Sequence, residues 1–308
     1  MNKEVANKSI IIIPYAENPK MKAGTNISKA KDRFEVYMKN CCVACLSAKV
    51  NNPNSHVALV TNTTVPEKYS KLLLENNCLI INAAFDHFKF PDDYRWGLAF
   101  YKLCALKHVA ETGEYDYYAY LDADTYTQGT FEHIWKECDQ NILMYDINHG
   151  LQVENYKKFL KQIEDFAGVN KYVTQYGGEF FAANQENALQ FINKCDEIYK
   201  KMLEQSFVTT SGDEFISTLA AFDMREKVKN AGAYVYRFWT GYFRLISTQY
   251  ERNSVVVLHV PDEKEKGMLK LFDYFSKKGE FPSNRKVHHL LHLKRPYLKI
   301  FIKRLLSF

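Results

Sequence analysis

The sequence predicts an α/β fold: one domain on a mostly parallel central sheet, followed by a basic amphipathic helical tail. Three observations predict it. Through the first half of the chain, short apolar runs rich in β-branched and aromatic residues alternate with stretches of helical periodicity, the order expected of parallel strands joined by right-handed crossovers. The 308 residues are 46% hydrophobic and 15% aromatic, enough to bury a sizeable core in one large domain. The formal charge of +5 is concentrated: residues 281–308 carry seven Lys or Arg and no acid, which leaves −2 for residues 1–280. The expected division is therefore a near-neutral body, 1–280, in two halves that meet near residue 150, and a basic tail, 281–308.

Each element has its own signal. Ser9 to Pro14 holds four consecutive Ile closed by Pro14 and reads as a buried strand. Tyr15 to Lys31 is polar, with Pro19 and Gly24, and reads as a loop. Asp32 to Val50 places Phe34, Tyr37, Met38, Cys41 and Cys45 at helical spacing, with Asp32 near the positive end of the dipole. His56 to Thr61 is a second strand, Pro66 to Asn76 a helix with Pro66 in its first turn, and Cys78 to Asn82 a third strand. After the aromatic, acidic loop Phe85 to Tyr94, a helix runs from Arg95 to Thr112 and stops at Gly113. Tyr115 to Leu121 is the fourth strand, Phe131 to Cys138 a short helix and Ile142 to Tyr145 a strand. Beyond these, helices are expected at Asn155 to Phe166, Asn187 to Glu204 and Phe215 to Phe222, and strands at Tyr176 to Ala183, Tyr234 to Phe238 and Val255 to Val260.

Several function classes are excluded or disfavoured. No run of about 18 apolar residues exists to span a bilayer. Met1 to Lys8 is polar and leads straight into a strand, without the apolar region of a secretory signal, so the expected location is the cytoplasm. The seven cysteines are an odd set; Cys41, Cys42 and Cys45 lack a second pair of ligands at zinc spacing and read as free buried thiols. No G-x-G-x-x-G and no G-K-[ST] loop is present, which argues against dinucleotide and P-loop chemistry. No nucleic-acid motif accompanies the basic tail, and no nucleic-acid partner is expected.

The chemistry centres on the end of the fourth strand, Tyr117-Tyr118-Ala119-Tyr120-Leu121-Asp122-Ala123-Asp124-Thr125. Side chains at i and i+2 on extended chain point the same way, so Asp122 and Asp124 converge on one point beyond the strand. A D-x-D triplet arises about once by chance in a chain of this length; its place at a strand end, followed by Thr125 to Gly129 as a turn, gives it weight. Two hard oxygen ligands suit Mg²⁺ or Mn²⁺, the rest of whose coordination comes from water and phosphates. The alternative is a strand-end Asx-turn. His259 closes the strand Val255 to Leu258 and is either a structural histidine or a third ligand for Mn²⁺. Lys264 and Lys266 follow it at a reach suited to phosphate, or are simply solvated. Asp213 and Glu214 open a helix after Gly212, where negative charge is favoured; capping explains them equally well. Gly177 and Gly178 allow close backbone approach to a ligand or a bend into the strand, and Glu179 beside them is a candidate for binding hydroxyls. Pro14 and Tyr15 lie where the loop after the first strand would meet a ligand, Tyr15 as a stacking surface for a base or as an ordinary loop aromatic.

Arg95-Trp96 through Tyr101-Lys102-Leu103, then Tyr115-Asp116 and Tyr120-Leu121-Asp122-Ala123-Asp124, resemble the donor half of GT-A-fold glycosyltransferases. The Gly-Gly strand, the long helix and Gly212-Asp213-Glu214 are similar in order and spacing to the acceptor half of family 6. The Leu258-His259 strand with its lysines looks more like family 8. The resemblance covers roughly Ser9 to Lys266. It implies a GT-A (Rossmann-like) fold and a nucleotide diphospho-sugar donor, a UDP-sugar above all, with Mn²⁺ or Mg²⁺ held by Asp122, Asp124 and His259. Pro14, Tyr15, Arg95, Lys102, Ala123, Gly178, Glu179 and Lys266 would be further donor contacts. Asp213 and Glu214 would face the transferred sugar, one holding its hydroxyls and the other acting as base, nucleophile or oxocarbenium stabiliser. Both families retain configuration, so retention is expected.

Pro296 to Phe308 reads as a helix with Leu298, Phe301, Ile302, Leu305 and Phe308 apolar and Lys299, Lys303 and Arg304 basic. Such a helix lies on an anionic bilayer surface or packs on the body. A peripheral place on the inner face of a membrane fits an enzyme with a glycan or lipid-linked acceptor, as in cell-surface polysaccharide or lipooligosaccharide synthesis. The competing readings are a sugar-nucleotide nucleotidyltransferase, whose glycine-rich basic loop after the first strand is missing from Pro14 to Pro19, and a catalytically silent sugar- or membrane-binding protein of the same fold.

Overall fold

The computed structural model describes residues 8–18, 27, 32–91, 94, 96–148, 151–240, 252–293, 302 and 305–306. The first half follows the expected alternation: β1 (Ser9–Tyr15), α1 (Arg33–Asn51), β2 (His56–Thr61), α2 (Glu67–Glu75), β3 (Leu79–Asn82), α3 (Tyr101–Ala110) and β4 (Tyr117–Leu121). There follow β5 (Thr125–Thr127), α4 (Glu132–Cys138), β6 (Ile142–Asp146), α5 (Glu154–Ala167), β7 (Tyr176–Asn184), α6 (Gln185–Glu204) and α7 (Asp213–Asp223). The remaining elements are β8 (Val228–Asn230), β9 (Val235–Arg237), β10 (Val257–His259), α8 (Gly267–Lys278) and α9 (Asn284–Leu290).

The main sheet has the order β3-β2-β1-β4-β7-β6-β8. Its β3, β2, β1 and β4 are parallel, and β7 runs antiparallel between β4 and β6. The Ile run of β1 shows why this sheet is buried on both faces. Ile10 and Ile12 point into one core with Tyr118, Tyr120, Phe181 and Leu103; Ile11 and Ile13 point into the other with Cys41, Cys45, Leu59 and Leu121. A strand covered on both sides needs apolar residues at every position, hence the unbroken run rather than alternation. The three cysteines of α1 are part of that second core, and all seven cysteines are free and buried.

Two differences from the sequence expectation matter for the site. The helix expected from Arg95 begins instead as a 3-10 turn, Gly97–Phe100, and becomes α-helical at Tyr101. Thr125 to Gly129, expected as a turn, contains β5, which joins a second sheet of order β5-β10-β9. There β10 pairs antiparallel with β5 and parallel with β9. A strand of three residues carries too little periodicity to be seen locally; it exists because β10 supplies partners from 130 residues further on. The apolar faces of Tyr126, Leu258 and Val260 are covered by Leu271 of α8 and by Val287, Leu291 and Leu293 in and after α9. The tail helix expected from Pro296 lies outside the described residues except for Ile302, Leu305 and Leu306, which are exposed. Among the described residues, no helix is long and apolar enough to cross a membrane.

Candidate active site

β1 and β4 are neighbours, but the chain leaves β1 toward β2 and leaves β4 toward the β7 side. In open α/β sheets this reversal opens a crevice at the carboxyl ends of the strands. A cavity of about 720 Å³ lies there, lined by Pro14 and Tyr15 from β1, by Asp122, Ala123 and Asp124 beyond β4, and by Gly178 of β7. Lys102, Asp213, Glu214, Arg237, His259 and Lys264 converge on it from α3, α7, the second sheet and the turn after β10.

The acidic turn is held on both sides by backbone. Asp122 donates its amide to the Glu179 carbonyl at 3.1 Å, and the Asp124 carbonyl accepts from the Val260 amide at 3.0 Å. Thr125 Oγ1 donates to the Asp122 carbonyl at 2.7 Å. β10 then brings His259 opposite Thr125 on one side and Arg237 on the other. One donor atom from each of Asp122, Asp124 and His259 falls within 4.8 Å of the others. His259 Nε2 is 3.3 Å from Asp124 Oδ2 and 4.0 Å from Asp122 Oδ2, while Nδ1 is 3.2 Å from Glu179 Oε1. Burial would depress the imidazole pKa, but Asp124 first and Glu179 next outweigh it and lift it to about 9.

These residues fit a divalent metal. Two carboxylates and an imidazole face one point, and the second imidazole nitrogen faces a buried carboxylate, the arrangement that fixes the ring of a metal-ligating histidine. The structure therefore corrects the expectation for Glu179. Its side chain is fully buried and is held by Arg237 through Nε to Oε1 at 2.7 Å and Nη2 to Oε2 at 2.6 Å, with His259 on Oε1 as well. Burial would raise the Glu179 pKa, yet the Arg237 charge and then the His259 hydrogen bond hold it far below the carboxylate range. Glu179 does not line the cavity, so it supports the histidine and does not reach a ligand's hydroxyls.

On the other face of β7, Lys102 Nζ lies 2.9 Å from Asp122 Oδ1, donates to the Gly178 carbonyl at 2.8 Å and lies 3.2 Å from Asp213 Oδ2. Burial opposes the charge of this lysine, and Asp122 and Asp213 restore it, so its pKa ends well above the usual value. Lys264 hydrogen-bonds Asp124 Oδ2. Lys266, the lysine expected at the donor, is exposed and does not line the cavity; the turn Pro261–Glu263 and the start of α8 carry it away, and Lys264 stands in its place. Arg95 lies outside the described residues.

Asp213 and Glu214 are the first residues of α7, entered through Gly212 at φ +63°, where a side chain would be strained. Glu214 Oε2 accepts from Gln175 Nε2 at 3.0 Å, and its Oε1 is 3.5 Å from Arg237 Nη2. Burial lifts its pKa to about 7 despite Arg237, with Asp213 and Glu179 adding to the rise. Asp213 is also raised, by burial first and then by Asp122, against the pull of Lys102. The glycine pair has a structural explanation as well. A Cβ on Gly178 would collide with Asp213 Oδ2 and lie 2.7 Å from Lys102 Nζ; one on Gly177 would collide with Glu179 and lie 2.7 Å from Arg237 Nη2. The glycines make room for the two ion-pair clusters on either face of β7.

Tyr15 is buried, its ring edge-on to Phe34 at 6.1 Å and its hydroxyl donating to Glu17, so its ring is largely committed to packing. Sequence reasoning missed Arg237 and Gln175. The available signal was a single Arg in the aromatic strand Tyr234-Val235-Tyr236-Arg237-Phe238, where a buried charge implies a buried acid.

No protein-family model and no curated protein sequence matches the chain. Among solved structures, it is similar to the apo structure of WbbM, a bifunctional glycosyltransferase, with a TM-score of 0.56 at 9% sequence identity. The match covers 94% of this chain and 52% of that one, so the chain spans about half the length of its neighbour. The likeness shows the fold: an α/β architecture of GT-A-like type with a mostly parallel central sheet, as the sequence predicted.

Proposed function

We infer that the protein is a metal-dependent glycosyltransferase. It moves a sugar from a nucleotide diphospho-sugar, with a UDP-sugar favoured, to a hydroxyl of a glycan or lipid-linked acceptor. The observation that carries this reading is the convergence of Asp122, Asp124 and His259 at the strand-end crevice, with Asp213 and Glu214 lining the same cavity. The similarity in fold to a glycosyltransferase supports it.

In this reading Asp122, Asp124 and His259 hold Mn²⁺ or Mg²⁺, which when bound supplies a Lewis acid for the leaving diphosphate. Lys102 holds Asp122 in orientation. Lys264 offers a second positive charge to the phosphates. Pro14 and Tyr15 border the nucleoside. Asp213 and Glu214 flank the transferred sugar; Glu214, with a pKa of about 7, is suited to hold or release a proton at neutral pH, and Asp213 to accept hydrogen bonds from sugar hydroxyls. Retention of configuration is the favoured outcome, with Glu214 as nucleophile or oxocarbenium stabiliser. The basic tail would hold the enzyme on the anionic cytoplasmic face of a membrane, beside an acceptor for cell-surface polysaccharide or lipooligosaccharide.

Isothermal titration with a panel of nucleoside diphosphates tests the reading, in Mn²⁺ and in chelator, on the wild type and on Asp124→Asn. Metal-dependent binding of UDP or another diphosphate, lost in the variant, is expected. If no nucleotide binds under either condition, the reading is wrong.

A further inference from the structure

Two lysines reach the acidic pair, and they reach it differently. Lys102 lies on Oδ1 of Asp122, and the other oxygen of that carboxylate, Oδ2, is the one turned toward His259. Lys264 instead hydrogen-bonds Oδ2 of Asp124, the same oxygen that lies 3.3 Å from His259 Nε2. Lys102 therefore leaves the inward oxygen of its partner open. Lys264 covers it.

We propose that Lys264 is an internal counter-cation that competes with a divalent metal for Asp124 and is drawn off by the nucleotide's diphosphate, so that metal and nucleotide bind as a cooperative pair. The inference rests on the reading of this cavity as a nucleotide-sugar site. Both partners are desolvated, with the side chains of Lys264 and Asp124 13% and 5% exposed. A buried carboxylate stripped of its partner is strongly unfavourable, so the pair persists in the free protein. A divalent cation taking the same oxygen would stand beside the ammonium in a low-dielectric site, where like charges repel most.

The ammonium has somewhere to go. Its second hydrogen bond, to the Pro261 carbonyl, is long at 3.5 Å, and Lys264 lines the cavity. Its backbone stays put, because its carbonyl accepts from Asn40 Nδ2 of α1 at 3.0 Å. The four-carbon stem can thus turn into the cavity without moving the turn that carries it. An anionic diphosphate replaces Asp124 as its partner and frees the oxygen for the metal. By linkage, metal bound at Asp124 must favour the diphosphate by the same factor.

The test is the affinity of the full chain for Mn²⁺ alone, for UDP alone and for each in the presence of the other, in wild type, Lys264→Gln, Lys264→Arg and Asp124→Asn. In the wild type, UDP is expected to tighten Mn²⁺ about tenfold or more, a coupling of ordinary allosteric size. Lys264→Gln is expected to bind Mn²⁺ alone about tenfold more tightly than wild type and to lose most of the coupling. Lys264→Arg, which keeps the charge, should behave like the wild type. The proposal is overturned if Lys264→Gln binds Mn²⁺ no more tightly than wild type, or if its coupling is unchanged. Loss of Mn²⁺ binding in Asp124→Asn alongside such a result would leave the metal site standing and remove only the role of Lys264. Absence of Mn²⁺ binding in the wild type, with and without UDP, would remove both.

Discussion

Arg237 meets Glu179 with two nearly parallel hydrogen bonds, Nε to Oε1 at 2.7 Å and Nη2 to Oε2 at 2.6 Å, and the carboxylate between them is sealed from solvent. A fork of this kind fixes the carboxylate in orientation as well as in charge. Arg237→Met leaves Glu179 buried and unpaired on that side, so it is expected to destabilise the fold by about 3–5 kcal/mol. The double variant Arg237→Met with Glu179→Leu should recover much of the loss. Urea denaturation of the four proteins of the cycle measures this; equal stability of wild type and Arg237→Met would contradict it.

Glu179 is expected to matter for the metal without touching it. Its Oε1 faces His259 Nδ1 at 3.2 Å, which fixes the ring so that Nε2 faces the acidic pair. Glu179→Gln should weaken Mn²⁺ binding about 10- to 100-fold, the usual effect of removing the partner of a ligating histidine. Titration calorimetry with Mn²⁺ and UDP reads it directly. An unchanged affinity would mean that the ring is held by its neighbours in β5 and β9 alone.

Gly178→Ala is expected to remove most activity while leaving the protein folded. The added methyl displaces Asp213 or Lys102, and a shift of about 1 Å at such groups is enough for a 10²-fold loss of rate. Circular dichroism and turnover of a UDP-sugar donor, measured together, separate a misplaced side chain from an unfolded one. Wild-type turnover in Gly178→Ala would show that the Lys102–Asp213 contact is dispensable.

The raised pKa of Glu214 makes a stability prediction with a definite sign. The folded state holds this proton up to about pH 7, whereas the unfolded chain releases it near 4.5. The contribution is complete below pH 4.5 and is lost as pH rises through 7, on the order of 3 kcal/mol in all. Glu214→Gln cannot release the proton and should show no such loss. The difference in unfolding free energy between the two proteins, followed from pH 4.5 to 8.5, is expected to grow in favour of the variant; a flat difference would place the Glu214 pKa near its ordinary value.

The parts of this molecule that were legible in the sequence are those written in consecutive residues. The Ile run of β1, the helical spacing of α1 and the aromatic strand ending at Asp122 and Asp124 each announce their structure over fewer than 20 positions. His259 was legible because it closes an apolar strand as the Asp pair does. The second sheet was legible only in part: its β9 and β10 lie within the strands expected at Tyr234 to Phe238 and Val255 to Val260, but β5 has three residues and owes its existence to pairing with β10. For the same reason the role of Arg237 was hidden: nothing near residue 237 says that it will lie beside residue 179. Lys266 was expected at the donor where Lys264 lines the cavity, because the difference between them is a turn, not a chemistry.

That second sheet also sets when the centre can form. A ribosome delivers Asp122 and Asp124 some 140 residues ahead of His259 and Lys264, which at typical elongation rates is roughly ten seconds. Over that interval the growing chain can build β1 to β4 but carries its acidic turn without the histidine and lysine that will neutralise it. A product terminated before β10 would still have Lys102 to set beside Asp122, but Asp124 would lack both cations that flank it in the finished protein.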